Sequence, residues 1–416
     1  MKVVLLNTAE RTGGAAIAAN RLMKALIQNG IETKSLVLRK QSDDANVISV
    51  QTSVFKKYYA KFTFLWERLG IFFCNHFNRR KLFQVSIANT GFDVSRHPLV
   101  ESADIIHIHW INQGFLSLRD IKKLTQLGKP VVWTMHDMWP CTGICHHAWE
   151  CENFKKSCGQ CPFLTSGKKN DLSHRVFEKK SFISDSDIHF VTVSSWLKGK
   201  AEKSLITKGL KISIIPNGID TVVFSRRDKQ EMRRKYFLPS SKKIILLGAA
   251  RIDDPVKGFE YLRDALLLLN EKRDDLFLIL IGEIKNKEAF LPQIPVEYLS
   301  TGMIPDPATI AQFYAAADVT VVSSYYETFG QTLIESMSCG CPAVSFNNSG
   351  QTDIIDHKIN GYLAEYKNAA DLAKGIEWVI DHPESEKLAE ACRKKVLEKF
   401  SEPVVAEKYI SLYKDL

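Results

Sequence analysis

The sequence predicts an α/β protein with two doubly wound domains, each built on a parallel sheet. At 416 residues the chain is too long for one ordinary hydrophobic core. Apolar runs of strand length alternate with helical patterns over most of the chain, which is typical of parallel sheets with helical crossovers. The alternation restarts after a stretch rich in turn residues, Pro216-Asn-Gly-Ile-Asp220. We therefore expect a first domain over residues 1–220, joined by a C-terminal helix at about 400–416, and a second domain over 221–399.

Composition restricts the class of protein and its surroundings. The chain is 45% hydrophobic and 25% charged, and it has no apolar stretch long enough to span a bilayer. We expect Met1–Leu6 to form a first strand rather than a signal peptide, and nine cysteines without a secretion signal indicate the reducing cytoplasm. The formal charge of +9 suits an anionic partner: a phosphorylated substrate, anionic lipid or nucleic acid. Charge alone leaves these three partners open.

The first domain is predicted to open with a βαβ unit. Its loop carries Gly13 and Gly14 but lacks the Gly-x-Gly-x-x-Gly pattern, and its second strand ends in Arg39-Lys40 without a carboxylate for an NAD ribose. A nicotinamide dehydrogenase is therefore disfavoured. Two histidines, His107 and His109, end a later strand, and we expect His107 to be a structural residue with satisfied hydrogen bonds. The predicted strands are 2–6, 31–38, 105–109, 130–136, 190–193 and 211–215, and the predicted helices are 15–29, 118–127 and 169–184.

The segment 55–83 is both aromatic and basic, and it predicts one or two amphipathic helices. One interpretation is a helical insertion that packs on its own domain and keeps a solvated basic face. The other is an interfacial segment whose outer face meets anionic lipid headgroups. The two interpretations are compatible if only the outer face touches a membrane. The cations of the segment are Lys56, Lys57, Lys61, Arg68, Arg79, Arg80 and Lys81.

Five cysteines and two histidines are concentrated in the loop 141–161. Cys158-Gly-Gln-Cys161 has the spacing of a zinc knuckle, and Cys145 and Cys151 would complete a four-thiolate structural site. The alternative is a set of reduced cysteines in an ordered loop, with a disulfide forming after oxidation. Both interpretations remain open from the sequence.

The second domain carries cations and carboxylates at the ends of its predicted strands. Arg251 and Lys257 follow the first of these strands, where two cations are well placed to clamp a diphosphate. Glu327 lies on the turn after a later strand, and Gly330 opens the helix that carries Glu335. A glycine at such a turn lets backbone N–H groups approach an anion, which the helix N-terminus also favours. The predicted strands are 243–248, 276–282, 296–300 and 319–322, the predicted helices are 259–270 and 307–316, and residues 369–416 are predicted to be helical with a break at Glu402-Pro403.

The order and spacing of these residues resemble glycosyltransferase family 4, retaining enzymes with the GT-B fold. Three motifs carry the resemblance: Arg251-x5-Lys257-Gly, Ser324-x2-Glu327-x-Phe-Gly-x4-Glu335 and Gly340-x-Pro342. Ser323 stands where the family often has proline, and Asp353 replaces a common glutamate. The Cys-rich loop is similar to that of a subgroup linked to surface polysaccharide synthesis. Further agreement in family order covers nearly the whole chain, at Gly13-Gly14, Asp104-Ile-Ile-His-Ile-His109, Thr134-x-His136-Asp137, Pro216-Asn-Gly-Ile-Asp220 and Asn360-Gly361.

The resemblance implies two Rossmann-like domains facing across a cleft and a role for each matching residue. Arg251 and Lys257 would hold the donor diphosphate and stabilise its charge as the glycosidic bond breaks. Glu335 would bind the donor ribose, Glu327 would lie near the donor sugar, and His136 would face that sugar and the acceptor. The other donor contacts implied are the Gly13-Gly14 loop at the diphosphate, Phe329, Gly330, Gln331 and Thr332 at the sugar or phosphate, and Met303 and Ile304 at the nucleobase.

The implied reaction moves a sugar from a UDP- or GDP-linked donor to a hydroxyl of a glycan or lipid-linked acceptor, with retention at the anomeric carbon. The leaving phosphate would take the acceptor proton on the same face, so we expect no covalent enzyme intermediate. The implied fold clamps the diphosphate with cations, so we expect no catalytic metal, and Asp185-Ser-Asp187 is only a weak match to a metal motif. The expected setting is exopolysaccharide, capsule or lipopolysaccharide synthesis at the inner face of the plasma membrane. The alternative is a non-catalytic nucleotide- or polyanion-binding protein on the same fold, although we expect no nucleic acid partner.

Overall fold

The structure of the protein, a computed structural model, describes residues 1–79 and 81–416. Arg80, one of the cations of the predicted basic segment, lies outside these residues. The chain divides into two compact units, one formed by 1–216 together with 406–416 and the other by 217–405. The observed division therefore comes after Pro216, whereas the sequence placed it after residue 220. No described helix is both long and apolar enough to cross a membrane.

The first unit is built on a seven-stranded parallel sheet with the strand order β3-β2-β1-β4-β5-β6-β7. Its strands are β1 (Lys2–Ala9), β2 (Glu32–Arg39), β3 (Val47–Ser49), β4 (Ile105–Ile108), β5 (Val131–Met135), β6 (His189–Thr192) and β7 (Ile212–Ile214). All five residues of β5 are buried, as expected for a parallel sheet covered on both faces. The strand order reverses between β1 and β4, and ligands of such sheets bind outside the carboxyl ends of the strands at this switch point.

Most helices of the first unit begin at a residue whose side chain caps the first turn. Ser117 and Asp120 form a capping box, and the side chains of Ser53, Asp171 and Ser194 each accept a hydrogen bond from a backbone N–H of the first turn. The helices are α1 (Gly14–Gln28), α2 (Val54–Cys74), α3 (Pro98–Ser102), α4 (Leu118–Thr125), α5 (Leu172–Lys179) and α6 (Ser195–Ala201), with short 3-10 turns at Trp139–Cys141, Asn153–Lys155 and Ser181–Ile183.

The predicted aromatic and basic segment forms one helix, α2, that is anchored to its own domain by a buried charge pair. Glu67 is fully buried, and its Oε1 accepts hydrogen bonds from the backbone N–H groups of Ile87 (2.8 Å) and Ala88 (3.0 Å). Its Oε2 lies 2.9 Å from Arg68 Nη2, which is also buried. The inner face of α2 is therefore held by specific polar contacts, and its position on the domain is well defined.

The second unit is built on a six-stranded parallel sheet with the strand order β10-β9-β8-β11-β12-β13. The switch point of this sheet lies between β8 and β11. The strands are β8 (Lys243–Arg251), β9 (Leu276–Glu283), β10 (Glu297–Gly302), β11 (Val319–Val322), β12 (Ala343–Phe346) and β13 (Gly361–Ala364). The helices are α7 (Lys229–Lys235), α8 (Phe259–Asn270), α9 (Lys287–Phe290), α10 (Pro307–Ala316), α11 (Gln331–Ser338), α12 (Ala369–Ile380) and α13 (Ser385–Lys399), and the 3-10 turns are Pro255–Lys257, Leu291–Gln293 and Ser349–Asp353.

The C-terminal region contains three helices rather than one helical stretch with a single break. α12 ends at Ile380, α13 ends at Lys399, and a last helix, α14 (Glu402–Lys414), follows. The break between α12 and α13 was not predicted. The break predicted at Glu402-Pro403 lies two residues earlier, at Phe400-Ser401, and both predicted residues lie in the first turn of α14. Proline is tolerated there, since the backbone N–H that it lacks has no partner within the helix. Residues 406–416 belong to the first unit.

Candidate functional site

The first element of the site follows β8, on one side of the switch point of the second sheet. β8 ends at Arg251, and the 3-10 turn that follows ends at Lys257. Lys257 Nζ donates a hydrogen bond to Glu327 Oε1 over 2.7 Å, while Arg251 Nε donates to Asp253 Oδ1 over 3.0 Å. The side chain of Arg251 is 40% exposed and that of Lys257 is 29% exposed, so both cations are accessible to a ligand.

Asp253 supports Arg251, and sequence reasoning did not identify it. Its Oδ2 accepts hydrogen bonds from the backbone N–H groups of Lys285 (3.0 Å) and Asn286 (3.1 Å), which follow β9. Burial raises the pKa of Asp253, but the hydrogen bonds from Arg251 and these amides outweigh burial and lower it. The carboxylate therefore stays ionised and links the Arg251 side chain to the neighbouring loop. The only signal in the sequence was its position two residues after Arg251.

Glu327 follows β11, on the other side of the same switch point, and several contacts fix its position. Its Oε1 accepts a second hydrogen bond from Ser324 Oγ over 2.8 Å. Its backbone N–H donates to Ser349 Oγ over 3.0 Å, and its carbonyl accepts from the N–H of Gly350 over 2.8 Å. The Lys257–Glu327 pair thus joins the two strand ends that flank the switch point. The supporting role of Ser349 and Gly350 was missed by the sequence reasoning.

Two glycines shape the loops around this pair. Gly258 has φ +59°, and a Cβ there would lie 2.2 Å from the carbonyl oxygen of Ser323. Ser323 Oγ also donates to the carbonyl of Lys257 over 3.0 Å, and the backbone N–H of Tyr325 donates to the carbonyl of Val256 over 2.9 Å, so the two loops are in direct contact. Gly330 has φ +111° and precedes the first turn of α11. Both positions require a backbone conformation that residues with a side chain rarely adopt.

The remaining predicted donor residues of the second unit lie at different distances from the switch point. Phe329 is buried and packs edge-on against Phe400, with ring centroids 5.7 Å apart. Gln331, Thr332 and Glu335 lie on α11 and are partly exposed. Met303, which is 60% exposed, and the partly buried Ile304 follow the edge strand β10, which β9 separates from β8. The structure therefore brings Lys257 and Glu327 into contact and leaves the predicted nucleobase residues at the edge of the sheet.

The predicted site residues of the first unit also lie at the carboxyl ends of strands. Gly13 and Gly14 follow β1 and are exposed, and Gly13 has φ +93°. His136 follows β5 and is partly exposed, and its Nε2 lies 3.0 Å from Nδ1 of His109, which follows β4. Burial lowers the pKa of His136 to about 4, although the nearby charge of Asp137 acts in the opposite direction. His136 is therefore a neutral imidazole at neutral pH.

His107 is a structural histidine, as predicted. Its Nδ1 lies 2.6 Å from the hydroxyl of Tyr413, and its Nε2 lies 2.7 Å from Thr134 Oγ1. Thr134 Oγ1 in turn lies 2.9 Å from the hydroxyl of Tyr409. Burial lowers the pKa of His107 to about 3, so the ring is neutral. Both tyrosines lie on the C-terminal helix α14. Their hydroxyls therefore provide hydrogen-bond partners for His107 on β4 and Thr134 on β5.

A second chain of hydrogen bonds begins at Trp110, immediately after His109. Trp110 Nε1 donates to Asp137 Oδ2 over 2.8 Å, and the same oxygen lies 2.7 Å from His146 Nδ1. Burial raises the pKa of Asp137, but the adjacent His146 outweighs it and lowers the pKa to about 2. His146 Nε2 lies 3.0 Å from Ser86 Oγ, which reproduces the connectivity of a Ser-His-Asp triad. Because Ser86 is only 1% exposed, its hydroxyl is out of reach of a substrate, and the chain ties the Cys-rich loop to the sheet.

The Cys-rich loop is ordered and largely buried. All nine cysteines of the chain are free, and burial raises the pKa of Cys158 to about 11 and of Cys161 to about 12. The described residues contain no group of three or more His, Cys, Asp or Glu side chains arranged to hold a metal ion. Zinc binding by Cys145, Cys151, Cys158 and Cys161 stays a prediction.

A buried lysine, Lys180, braces the start of this loop and was not identified from the sequence. The side chain is completely buried, and its Nζ donates to the carbonyls of Trp139 (2.6 Å) and Thr142 (3.0 Å). The ammonium also lies 3.4 Å from the centre of the Trp139 ring, a cation–π contact. Burial lowers the pKa of Lys180 to about 7.

Comparison with protein families assigns both halves of the chain. Residues 12–223 match the family described as Glycosyltransferase Family 4, and residues 228–397 match the family described as Glycosyl transferases group 1. The chain is 26% identical over 355 residues to an uncharacterized glycosyltransferase of Methanocaldococcus jannaschii, covering 80% of this chain and 89% of that protein. It is 28% identical over 292 residues to a D-inositol 3-phosphate glycosyltransferase of Pseudarthrobacter chlorophenolicus, covering 67% of this chain and 63% of that protein.

Solved structures share the fold over the full length of the chain. Sucrose-phosphate synthase from Thermosynechococcus elongatus superposes with a TM-score of 0.71 at 19% identity, covering 100% of this chain and 98% of that one. The Anabaena protein HepE in complex with UDP and glucose superposes with a TM-score of 0.64 at 15% identity, covering 100% of both chains. At these identities the likeness shows the fold alone.

Proposed function

The chain belongs to glycosyltransferase family 4 and has the GT-B fold of a glycosyltransferase, and from this premise we propose that it transfers a sugar with retention from a nucleotide-diphosphate donor. The observation that carries the proposal is the Lys257–Glu327 pair, which joins the carboxyl ends of β8 and β11 where the sheet order reverses. Doubly wound sheets bind their ligands at this place. Arg251 adds a second accessible cation at the end of the same strand.

The two cations are proposed to act on the leaving group. Negative charge grows on the donor diphosphate as the glycosidic bond breaks, and a preorganised cation stabilises that charge more in the transition state than in the ground state. Lys257 is already oriented by Glu327, and Arg251 by Asp253, so neither side chain needs to be reorganised when the donor binds. The leaving phosphate would then accept the proton of the acceptor hydroxyl on the same face of the sugar, which gives retention.

We propose a UDP- or GDP-linked donor and a glycan or lipid-linked acceptor, in synthesis of a surface polysaccharide. The structural neighbour HepE, solved in complexes with UDP and with UDP-glucose, supports the uridine nucleotide. A lipopolysaccharide 1,2-N-acetylglucosaminetransferase of Salmonella typhimurium, 25% identical over 57% of this chain, supports the polysaccharide setting. Glu335, partly exposed on α11, is the proposed partner of the donor ribose. We propose that catalysis requires no metal.

The test is a screen of purified protein against UDP- and GDP-sugars, with nucleotide release and transfer to added sugar acceptors as the readouts. We expect one donor to be hydrolysed slowly and its sugar to be transferred to an acceptor faster than it is hydrolysed. Proton NMR should show that the product retains the anomeric configuration of the donor. Activity that persists in EDTA agrees with the proposed absence of a metal. Tight nucleotide binding without hydrolysis or transfer of any donor would instead favour the non-catalytic nucleotide-binding protein.

A second proposal concerns the outer face of α2, which we propose docks on an anionic membrane surface. The exposed apolar residues of this helix recur at helical spacing on one face, and the most exposed are Phe55 (77%), Val54 (70%) and Tyr58 (66%). Exposed lysines accompany this face, whereas the acidic Glu67 is buried in the domain. An aromatic face flanked by lysines suits the boundary between anionic headgroups and acyl chains. The other exposed apolar residues of the face are Phe62, Leu65, Trp66, Leu69 and Phe73, and the lysines are Lys56, Lys57 and Lys61.

Vesicle flotation tests this docking surface. The wild-type protein should float with phosphatidylglycerol vesicles and much less with phosphatidylcholine vesicles. Replacing two aromatic residues of the face, Phe62→Glu with Trp66→Glu, should abolish flotation. Phe237→Glu is the matched control, because Phe237 is 96% exposed but lies on the second unit, so its replacement should leave flotation unchanged. Wild-type protein that does not float with anionic vesicles, or a double variant that floats like the wild type, would contradict the proposal.

A further inference from the structure

The imidazole of His109 is the one polar side chain that touches the His136 ring among the described residues. The contact joins His109 Nδ1 to His136 Nε2 over 3.0 Å, across the ends of the neighbouring strands β4 and β5. The two rings are nearly parallel, with an interplanar angle of 22°. Sequence reasoning gave His136 a place in the site and gave His109 none. The contact raises the question of which ring supplies the proton.

The surroundings of His109 keep its ring neutral. It is 3% exposed, its nearest ring neighbour is His107 at 4.2 Å between centroids, and burial lowers its pKa well below the ordinary value. Its backbone is also held, because its N–H donates to the carbonyl of Leu6 over 2.9 Å and its carbonyl accepts from Trp133 Nε1 over 3.1 Å. A neutral histidine carries one ring proton, so only one of its two nitrogens can donate.

The burial of the second nitrogen of His109 decides between the two proton positions. His109 Nε2 is buried and has no protein partner within the described part of the chain. If the proton were on Nε2, a buried N–H donor would be left unmatched, which proteins rarely tolerate. If the proton is on Nδ1, it makes the hydrogen bond to His136, and only a lone pair is left unmatched. The second arrangement also places the proton of His136 on its own Nδ1, in a ring that is partly exposed.

We propose that His109 is a positioning residue that donates its Nδ1 proton to Nε2 of His136 and so holds His136 as the tautomer protonated on Nδ1. His136 then acts toward its ligand as a hydrogen-bond donor and not as a base. This rests on the proposed function, in which the leaving phosphate of the donor takes the acceptor proton and His136 contributes a hydrogen bond to sugar or acceptor. The relevant ligand class is a neutral sugar hydroxyl or ring oxygen, which accepts such a bond.

The hydrogen bonds behind His109 form an outer layer that supports the same arrangement. His107 packs against His109. Its two ring nitrogens form hydrogen bonds with the hydroxyls of Tyr413 and Thr134. Tyr413 lies three contacts away from His136, with His107 and His109 between them. Removing its hydroxyl disturbs a buried hydrogen bond of the same network without touching the His109–His136 contact, which makes it a matched control.

The first experiment reads the tautomer directly and is independent of activity. Nitrogen NMR of protein labelled at the histidine rings distinguishes protonated from unprotonated Nδ1 and Nε2, with His136→Gln used to assign the His136 signals. The proposal expects His136 protonated on Nδ1 in the wild type. His109→Phe should turn this into a mixture of tautomers, whereas His109→Asn, whose amide nitrogen replaces the donor, and Tyr413→Phe should both leave it unchanged. Wild-type His136 protonated on Nε2 would overturn the proposal, and so would a Tyr413→Phe signal that moves as far as that of His109→Phe.

The second experiment measures turnover with the donor that the wild type uses. His109→Phe should lower kcat about tenfold with little change in the KM for the donor, the loss expected for one misdirected hydrogen bond, and His109→Asn should recover most of it. An equal loss in the two variants, or a normal kcat in His109→Phe, counts against the positioning role. The two proposals fail separately: an inactive wild type with the expected tautomer contradicts only the proposed function, and an active wild type with the opposite tautomer contradicts only this inference.

Discussion

Replacing Lys257 by alanine should affect catalysis strongly and stability weakly. The ammonium lies 2.7 Å from Glu327 Oε1, and the two side chains are 29% and 21% exposed. An ion pair with this much solvent contact contributes less than about 1 kcal/mol to the free energy of unfolding. Glu327 also keeps its hydrogen bond from Ser324 Oγ when the lysine is removed. We therefore expect Lys257→Ala to fold normally and to shift Tm by only a few degrees.

The expected effect of the same change on turnover is much larger. Two unit charges about 4 Å apart interact by roughly 4 kcal/mol at the effective dielectric of a partly exposed protein site. Removing one preorganised group that stabilises growing negative charge typically lowers kcat by about 10²–10³-fold. This corresponds to roughly 3–4 kcal/mol of lost transition-state stabilisation. We expect Lys257→Ala to lose turnover in this range and to bind the acceptor almost as before.

Steady-state kinetics with the best donor of the wild type, together with thermal unfolding, measure both effects. Lys272→Ala is the control, because Lys272 is exposed on the same unit after α8 and outside the site. It should match the wild type in kcat and in Tm. A kcat for Lys257→Ala within about threefold of the wild type would refute the assignment of the cation to the leaving diphosphate. A large fall in Tm would refute the claim that the ion pair matters little for folding.

Three further predictions concern the framework of the site. Gly258→Ala should lower the free energy of unfolding by at least about 2 kcal/mol in urea titrations, since the residue has φ +59° and its Cβ would lie 2.2 Å from the Ser323 carbonyl; an unchanged midpoint would contradict this. Below pH 6.5 the unfolded chain binds protons at His107, His109 and His136 that the folded chain does not, because the pKa is lowered to about 3 at His107, well below the ordinary value at His109 and to about 4 at His136. Each ring should lower the stability measured in urea titrations by about 1.4 kcal/mol per pH unit as the pH falls toward its folded-state pKa; equal stability at pH 5 and pH 7 would argue against buried neutral rings. If the 141–161 loop is a metal site, elemental analysis should find one zinc per chain in protein purified without chelator. A zinc content below one per chain that added zinc does not restore would contradict that hypothesis.

The core elements of both units could be predicted because local sequence pattern specifies them. β1, β5 and β11 are buried and mostly apolar, and α8 shows helical periodicity after a turn. Three short strands, β3, β12 and β13, were not predicted from the sequence. β12, with the sequence Ala-Val-Ser-Phe, is only four residues long, and a segment of that length becomes a strand because its neighbours on both sides pair with it. Pairing partners are a property of the assembled sheet and not of the segment.

The same limit separates the predicted from the missed residues of the second unit's site. Lys257 and Glu327 were predicted to act together because each follows a strand, and the carboxyl ends of parallel strands share one edge of a sheet. Ser349 supports Glu327 from a loop 22 residues further along the chain, with φ +55°, which is uncommon for a residue other than glycine. The conformation of that loop decides the contact, and no periodic pattern in the sequence records it.

The strand ends of the first unit show most clearly what register adds to a motif. β4 pairs with β5 so that Ile108 lies beside Trp133, and the residues that follow β4 are therefore two positions out of step with those that follow β5. His109 and Trp110 then reach diagonally to His136 and Asp137 respectively, and two parallel hydrogen-bonded links result. A shift of one residue in this pairing would send each side chain to the opposite face of the sheet and break both links. Resemblance to a family could therefore single out His136, but only the pairing of the strands shows that His109 contacts it.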